Sequence, residues 1–332
     1  MIYWNPLFGV SISDSIISFH DERGRFSLVR PVALADWGVV SNLVGGLSRA
    51  EIERATDIEK AVLRMLVDRN LIVELPFPPE SLKAERSAGH YLTFHRAPMA
   101  AIERLRNSVV CILGIGGIGA VVLQHLVALG VRNYVLADSD RVEASNLNRQ
   151  FIFSPTDIGK EKVEAAEIFI RSRIDEATVV KTRKYIESEE ELAQLSLDRC
   201  SIIVNCLDSP RLTIDEIVYG FGQTRHVAVI SAGVGVYFGH WGPLIPPGAE
   251  ITYERWRDIH MSPLSEAGAS SAAEPTPWSF GPTNTLIAAS VARDVAEWLA
   301  GRSQVNSLNT RVVVRFSDNS ITLHGTVPRA PH

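Results

Sequence analysis

Apolar residues in this chain fall into short continuous runs separated by stretches of helical periodicity. Val109–Leu113, Asn133–Ala137, Thr178–Lys181, Ser201–Cys206 and Val227–Ser231 read as strands. Residues 117–129, 160–174, 189–195 and 211–221 between them carry apolar positions at helical spacing. Uninterrupted apolar runs suit strands covered on both faces, and strand–helix alternation predicts a doubly wound, mostly parallel, Rossmann-like sheet. Residues 261–282 are rich in Ser, Ala, Gly and Pro and read as a mobile crossover loop. An amphipathic helix over 283–299 and a terminal hairpin, 311–316 with 321–324, follow.

The first 80 residues read differently. Ser15–Phe19 and Phe26–Val29 flank Asp21-Glu-Arg-Gly24, a hairpin signal. Residues 31–44 read as a helix ending at Gly45-Gly46. Ser48 and Glu51 have capping-box spacing, and Asp57 is expected to cap a third helix. Leu71–Leu75 closes this module as a strand. Three prolines at 76, 78 and 79 then stop regular structure. The expected organisation is a small winged-helix-like α+β domain, 1–80, followed by the Rossmann-like domain, 81–332.

The chemistry starts where the first buried strand ends. Gly114, Gly116 and Gly119 stand in G-x-G-x-x-G spacing, with Gly117 among them. Glycines allow a tight turn and let a phosphate approach the N–H groups of a helix start. Asp138, at the end of the next strand, suits ribose hydroxyls. The segment beyond it carries Asp140, Asn146, Arg149, Gln150 and Lys162. Asn146, Arg149 and Lys162 supply more donors than a dinucleotide needs and fit a triphosphate, whose charge must be neutralised as the leaving group departs. Asp208 follows another strand and is placed to hold Mg²⁺; the competing expectation is that it caps the next helix.

Gly-x-Gly-Gly-x-Gly, Asp-x-Asp, Asn-Leu-x-Arg-Gln, Gly-x-x-Lys-Val and the strand-end Asp208 occur in order between Ala88 and Gly301. With these motifs the chain resembles the ThiF/MoeB-type adenylating enzymes of the ubiquitin-activating superfamily. The bacterial branch includes molybdopterin- and thiamin-pathway enzymes and the peptide-modifying enzymes of microcin C and pantocin A biosynthesis. The resemblance implies a homodimeric adenylyltransferase using ATP and Mg²⁺. It assigns the ribose to Asp138, the phosphates to Asn146, Arg149 and Lys162, and the metal and attacked phosphate to Asp208. Its spacing prefers Lys162 to Lys160. It also implies an upstream arginine acting on the partner subunit's ATP; Arg96 is the candidate, in a segment that departs from the usual pattern.

Two departures narrow the chemistry. Members of the family often hold zinc with two Cys-x-x-Cys pairs, yet the expected first position reads Tyr253-Glu-Arg-Trp256, and the chain has three cysteines in all. Residues 250–282 contain no cysteine to carry a thioester. The expectation is adenylation with neither zinc site nor thioester. Cys111 and Cys206 are expected in the core. Trp256 and Trp278 are expected to pack in the core or against the loop.

Charge and composition bound the partners. A net charge of −5 over 332 residues gives no reason to expect nucleic acid or anionic membrane. Residues 1–80 hold eight Lys/Arg against eleven Asp/Glu, a formal −3, which disfavours a DNA-reading winged helix. The module resembles the leader-recognition elements of peptide-modifying enzymes, and that resemblance implies capture of a precursor peptide by strand addition. Three cysteines and no signal peptide at the start predict a cytoplasmic protein. Two other readings stay open here: adenylation of a sulfur-carrier or ubiquitin-like C-terminus, and a non-catalytic ATP-binding regulator.

Overall fold

The computed structural model describes residues 1–325 except 13–15, 23, 30–39, 41, 80–81, 83–84, 211–212 and 262–277. Most of the helix expected over 31–44 and of the loop expected over 261–282 therefore lies outside the described residues, as does Arg211. The chain forms two compact units, Met1–Arg104 and Leu105–His332, and passes from one to the other within the helix Pro98–Asn107.

In the N-terminal unit, β1 (Ile2–Trp4) pairs antiparallel with β5 (Ile72–Glu74). Strands β2 (Gly9–Ile12), β3 (Ile16–Asp21) and β4 (Gly24–Val29) form an antiparallel sheet in the order β2-β3-β4. The expected hairpin is β3–β4; β1 and β2 are additions to the sequence reading. Helix Arg49–Arg54 starts at the expected capping box, Ser48 with Glu51. The next helix, Asp57–Asp68, corrects the expectation that Asp57 is its cap. Thr56 holds that place, because its hydroxyl takes the Glu59 N–H while the Glu59 carboxylate takes the Thr56 N–H. Trp4, Phe19, Leu47, Leu66 and Ile72 close the core of this unit.

The C-terminal unit is built on an eight-stranded sheet. Its order is β13-β12-β11-β10-β9-β6-β7-β8. Strands β6 (Val109–Leu113), β7 (Asn133–Ala137), β8 (Thr178–Thr182), β9 (Ile202–Asn205) and β10 (Ala228–Val234) are parallel. Strands β11 (Phe238–Trp241), β12 (Thr310–Arg315) and β13 (Ile321–Gly325) extend the sheet antiparallel. The sheet is thus α/β and mainly parallel, as the alternation predicts, with one strand, β11, that the sequence reading did not contain. Helix Gly281–Leu299 packs on β10, β11 and the helix Gly119–Ala128. No helix among the described residues is long and apolar enough to cross a membrane.

Candidate functional site

The parallel strands reverse direction of growth between β6 and β9. The chain leaves β6 for β7 and β8 on one side, then returns to β9 and β10 on the other. Open α/β sheets carry their ligand crevice at such a reversal, beyond the strands' C-terminal ends. The glycine loop leaves β6 at Leu113, the Asp208 segment leaves β9 at Asn205, and Leu113 and Asn205 are register partners. The two most suggestive stretches of sequence therefore meet at the place the topology favours.

The glycines are held by contact. Gly114 has φ +82°, and a Cβ on it would lie 2.9 Å from the Cys206 carbonyl oxygen. A Cβ on Gly119, the first residue of the next helix, would lie 1.9 Å from the Gly114 carbonyl oxygen. One on Gly117 would lie 2.3 Å from Oδ1 of Asn284. Only Gly116 of these four has open space where its Cβ would be. The helix Gly119–Ala128 begins without a side-chain cap, so its dipole and first-turn N–H groups favour an anion at this loop.

Asp138 is buried behind the loop. Its Oδ2 accepts from the Ile115 N–H at 2.6 Å, and its Oδ1 from the Asp140 N–H at 2.8 Å. Burial pushes its carboxyl upward, against the opposing pull of Lys162 and these two N–H groups. Lys162, the first residue of the helix Lys162–Arg171, donates from Nζ to Oδ2 of Asp140 at 2.8 Å. Its side chain is 7% exposed and that of Asp140 64%, so the pair turns its acidic half outward.

Asn146 is buried in a short 3-10 turn, its Oδ1 accepting from the Glu143 N–H at 3.0 Å. Arg149 Nη1 donates to the Ser145 carbonyl at 2.7 Å and to Asn148 Oδ1 at 2.9 Å. The Arg149 Cδ lies 3.4 Å from where a Gly117 Cβ would stand, which puts the arginine against the glycine loop. Gln150 is buried, and its Oε1 has no hydrogen-bond partner. An orphaned acceptor of this kind invites a donor from a ligand.

Asp208 is exposed, three residues beyond β9. It does not cap the following helix, which spans Ile214–Arg225 with Thr213 at the cap position. Arg96 belongs to the N-terminal unit, where its Nη2 donates to the Val67 carbonyl at 3.2 Å. Two residues beside the loop escaped the sequence reading, Asn284 and Asn205. The available signal was a single amide in an otherwise apolar setting, at a helix start and at a strand end.

Cys111 is buried in β6 and Cys206 follows β9. Burial raises both thiols, Cys206 to about 12, so neither offers a thiolate near neutral pH. Tyr253 and Trp256 are buried in the helix Tyr253–His260, whereas Trp278 is exposed. Among the described residues no three His, Cys, Asp or Glu side chains gather to hold a metal ion. The set fits ATP by its open glycine, its cations and its orphaned amide oxygen. The exposed carboxylate of Asp208, on the segment whose Cys206 carbonyl meets the glycine loop, suits Mg²⁺, which binds through one or two carboxylates together with substrate phosphates.

Known proteins resemble this chain in sequence and in fold. The chain is 36% identical over 107 residues to the NEDD8-activating enzyme E1 catalytic subunit of Caenorhabditis elegans, covering 32% of this chain and 24% of that protein. It thus spans about a quarter of the length of that relative. The solved structure of Escherichia coli MccB with AMPCPP and selenomethionine MccA superposes with a TM-score of 0.73 at 23% identity, covering 99% of this chain and 98% of that one. PaaA superposes with a TM-score of 0.68 at 20% identity, covering 96% and 98%. The ThiF family model matches residues 89–329. The chain, by this match over most of its length, belongs to the ThiF family.

Proposed function

We propose that the protein uses ATP and Mg²⁺ to adenylate a carboxylate of a ribosomally made precursor peptide, releasing pyrophosphate. One observation carries the reading: a glycine loop, a buried lysine, an arginine and a strand-end carboxylate converge at the reversal point of the sheet. Gly114, Gly116, Gly117 and Gly119 receive the phosphates. Asp138 orients the ribose and braces the loop. Asp140 and Gln150 line the nucleotide site, and Asn146, Arg149 and Lys162 stabilise charge on the phosphates as pyrophosphate departs. Asp208 would hold Mg²⁺, which would supply positive charge to the phosphates; the peptide carboxylate attacks the α-phosphorus, and the bond from the α-phosphorus to the bridging oxygen breaks. The raised thiols support direct use of the adenylate without a thioester.

The peptide reading rests on likeness of layout. MccB was solved with MccA and AMPCPP, and its fold matches this chain along nearly its whole length. Residues 1–80 act in this reading as the peptide-recognition module, adding the leader to a sheet edge. The protein works in the cytoplasm as a homodimer, with Arg96 reaching the partner subunit's ATP. Likeness to the NEDD8-activating subunit favours a second reading, adenylation of a ubiquitin-like C-terminus. The test is mass spectrometry of a short peptide encoded beside this protein, after incubation with enzyme, ATP and Mg²⁺. A gain of AMP or a loss of water supports peptide adenylation. An unchanged peptide, together with modification of a ubiquitin-like protein, contradicts it.

A further inference from the structure

A charged network lies behind the Asp208 segment, made of residues other than those assigned to the nucleotide. At its centre is Arg311 on β12, buried in the sheet. Its Nη2 donates to Asp215 Oδ2 at 3.2 Å and to the Tyr253 hydroxyl at 3.3 Å. Its Nε donates to the Gly242 carbonyl at 3.2 Å, and its guanidinium lies 5.2 Å from the centre of the Trp256 ring. The Tyr253 hydroxyl donates in turn to Asp215 Oδ2 at 3.2 Å. Tyr253 stacks on Tyr219 with ring centres 4.2 Å apart.

The network continues toward the site. The second carboxylate oxygen of Asp215 accepts from Asn205 Nδ2 at 2.9 Å. Oδ1 of the same Asn205 accepts from the Leu207 N–H at 3.3 Å. Leu207 immediately precedes Asp208. The relay therefore runs from Arg311 through Asp215 and Asn205 into the backbone that carries the exposed carboxylate. An ion pair with a buried arginine and a half-buried carboxylate is a poor device for stability alone, because apolar residues of similar volume often serve as well or better. It does fix direction, since a planar guanidinium and a carboxylate bond only along set lines. A glycine-loop contact lies on the other side: the Cys206 carbonyl closes against Gly114.

We infer that Arg311 and Asp215 are positioning residues for Asp208, acting through Asn205. The pair turns the segment 206–208 toward the glycine loop and keeps the Asp208 carboxylate in one place relative to the phosphates. This rests on the reading of Asp208 as the metal-holding carboxylate.

The test compares Arg311→Met, Asp208→Asn and the double variant, all in the full-length protein. Arg311→Met is expected to lower kcat for pyrophosphate release at least tenfold, with KM for ATP changed less than threefold. Combined with Asp208→Asn it should cause no further loss, because both changes remove the same function. Hydrogen exchange followed by mass spectrometry supplies a readout independent of turnover. Exchange should quicken at least tenfold over residues 206–210 and stay unchanged over 113–119. If Arg311→Met does not fold, the isosteric Asp215→Asn carries the same test. Unchanged exchange at 206–210, or a loss that multiplies that of Asp208→Asn, overturns the inference. A fully active Asp208→Asn alongside quickened exchange overturns instead the metal-holding role of Asp208, and leaves the mechanical link standing.

Discussion

Lys162 and Asp140 are joined by a 2.8 Å hydrogen bond in which the cation is buried and the carboxylate faces outward. A buried ammonium needs a counter-ion; in the proposed reaction an incoming phosphate replaces that counter-ion. Arg149 is likewise held ready by the Ser145 carbonyl and Asn148. Lys162→Ala and Arg149→Ala should each lower turnover by roughly 10²-fold, the usual scale for removing one charge-stabilising donor. Pyrophosphate release measures it, and near-normal rates in both variants would exclude the assignment.

The glycines make a sharper contrast. A Cβ on Gly119 collides with the Gly114 carbonyl, so Gly119→Ala should destabilise the fold by about 1–3 kcal/mol through overpacking. Gly116 has open space at the same point. Gly116→Ala should therefore melt like the parent protein yet bind ATP more weakly, since the methyl occupies the approach of the phosphate. Thermal melts beside nucleotide titrations separate the two; undiminished ATP binding by Gly116→Ala would contradict the cradle.

The glycine loop, its flanking strands and the mostly parallel character of the sheet were legible because buried parallel strands are continuous apolar runs. Strand β11 was hidden by Gly239. A Cβ there would strike Ile287 at 2.5 Å, so tertiary packing demands a residue of low strand preference. The helix Tyr253–His260 was masked by its charged residues. Its buried face is only Tyr253 and Trp256, three apart. Asp57 looked like a cap because single sequence positions do not reveal which hydroxyl or carboxylate meets the N3 N–H; the reciprocal bonds of Thr56 and Glu59 decide it. Asn205 acquires its meaning from Asp215, ten residues on, and Asn284 from Gly117, distant in the chain.

Acid stability should carry the mark of His240. Burial, reinforced by the Arg311 charge, lowers its imidazole from 6.5 to about 3. The unfolded chain thus takes up this proton near pH 6.5 and the folded chain only near 3. The contribution is intact above 6.5 and lost progressively as pH falls from 6.5 to 3, by up to about 1.4 kcal/mol per pH unit. Melting temperatures from pH 7 to 4 should fall less steeply for His240→Asn than for the parent. Parallel curves would show that His240 does not titrate this way.

The N-terminal module is predicted to act on peptide binding. Every residue assigned to ATP lies after position 81, so a chain beginning at Ser81, once shown to fold, should bind ATP normally. Its KM for the peptide should rise at least tenfold while kcat at saturating peptide recovers in part. An unchanged KM would remove the recognition role.

The proposed reaction cleaves ATP between its α- and β-phosphates at this site. Phosphorus NMR of ATP, Mg²⁺, the peptide and the enzyme reads that bond directly. One pyrophosphate is expected for each AMP transferred or released, with both absent when the peptide is omitted. Accumulation of ADP with orthophosphate, or intact ATP in the presence of a peptide that binds, would contradict it.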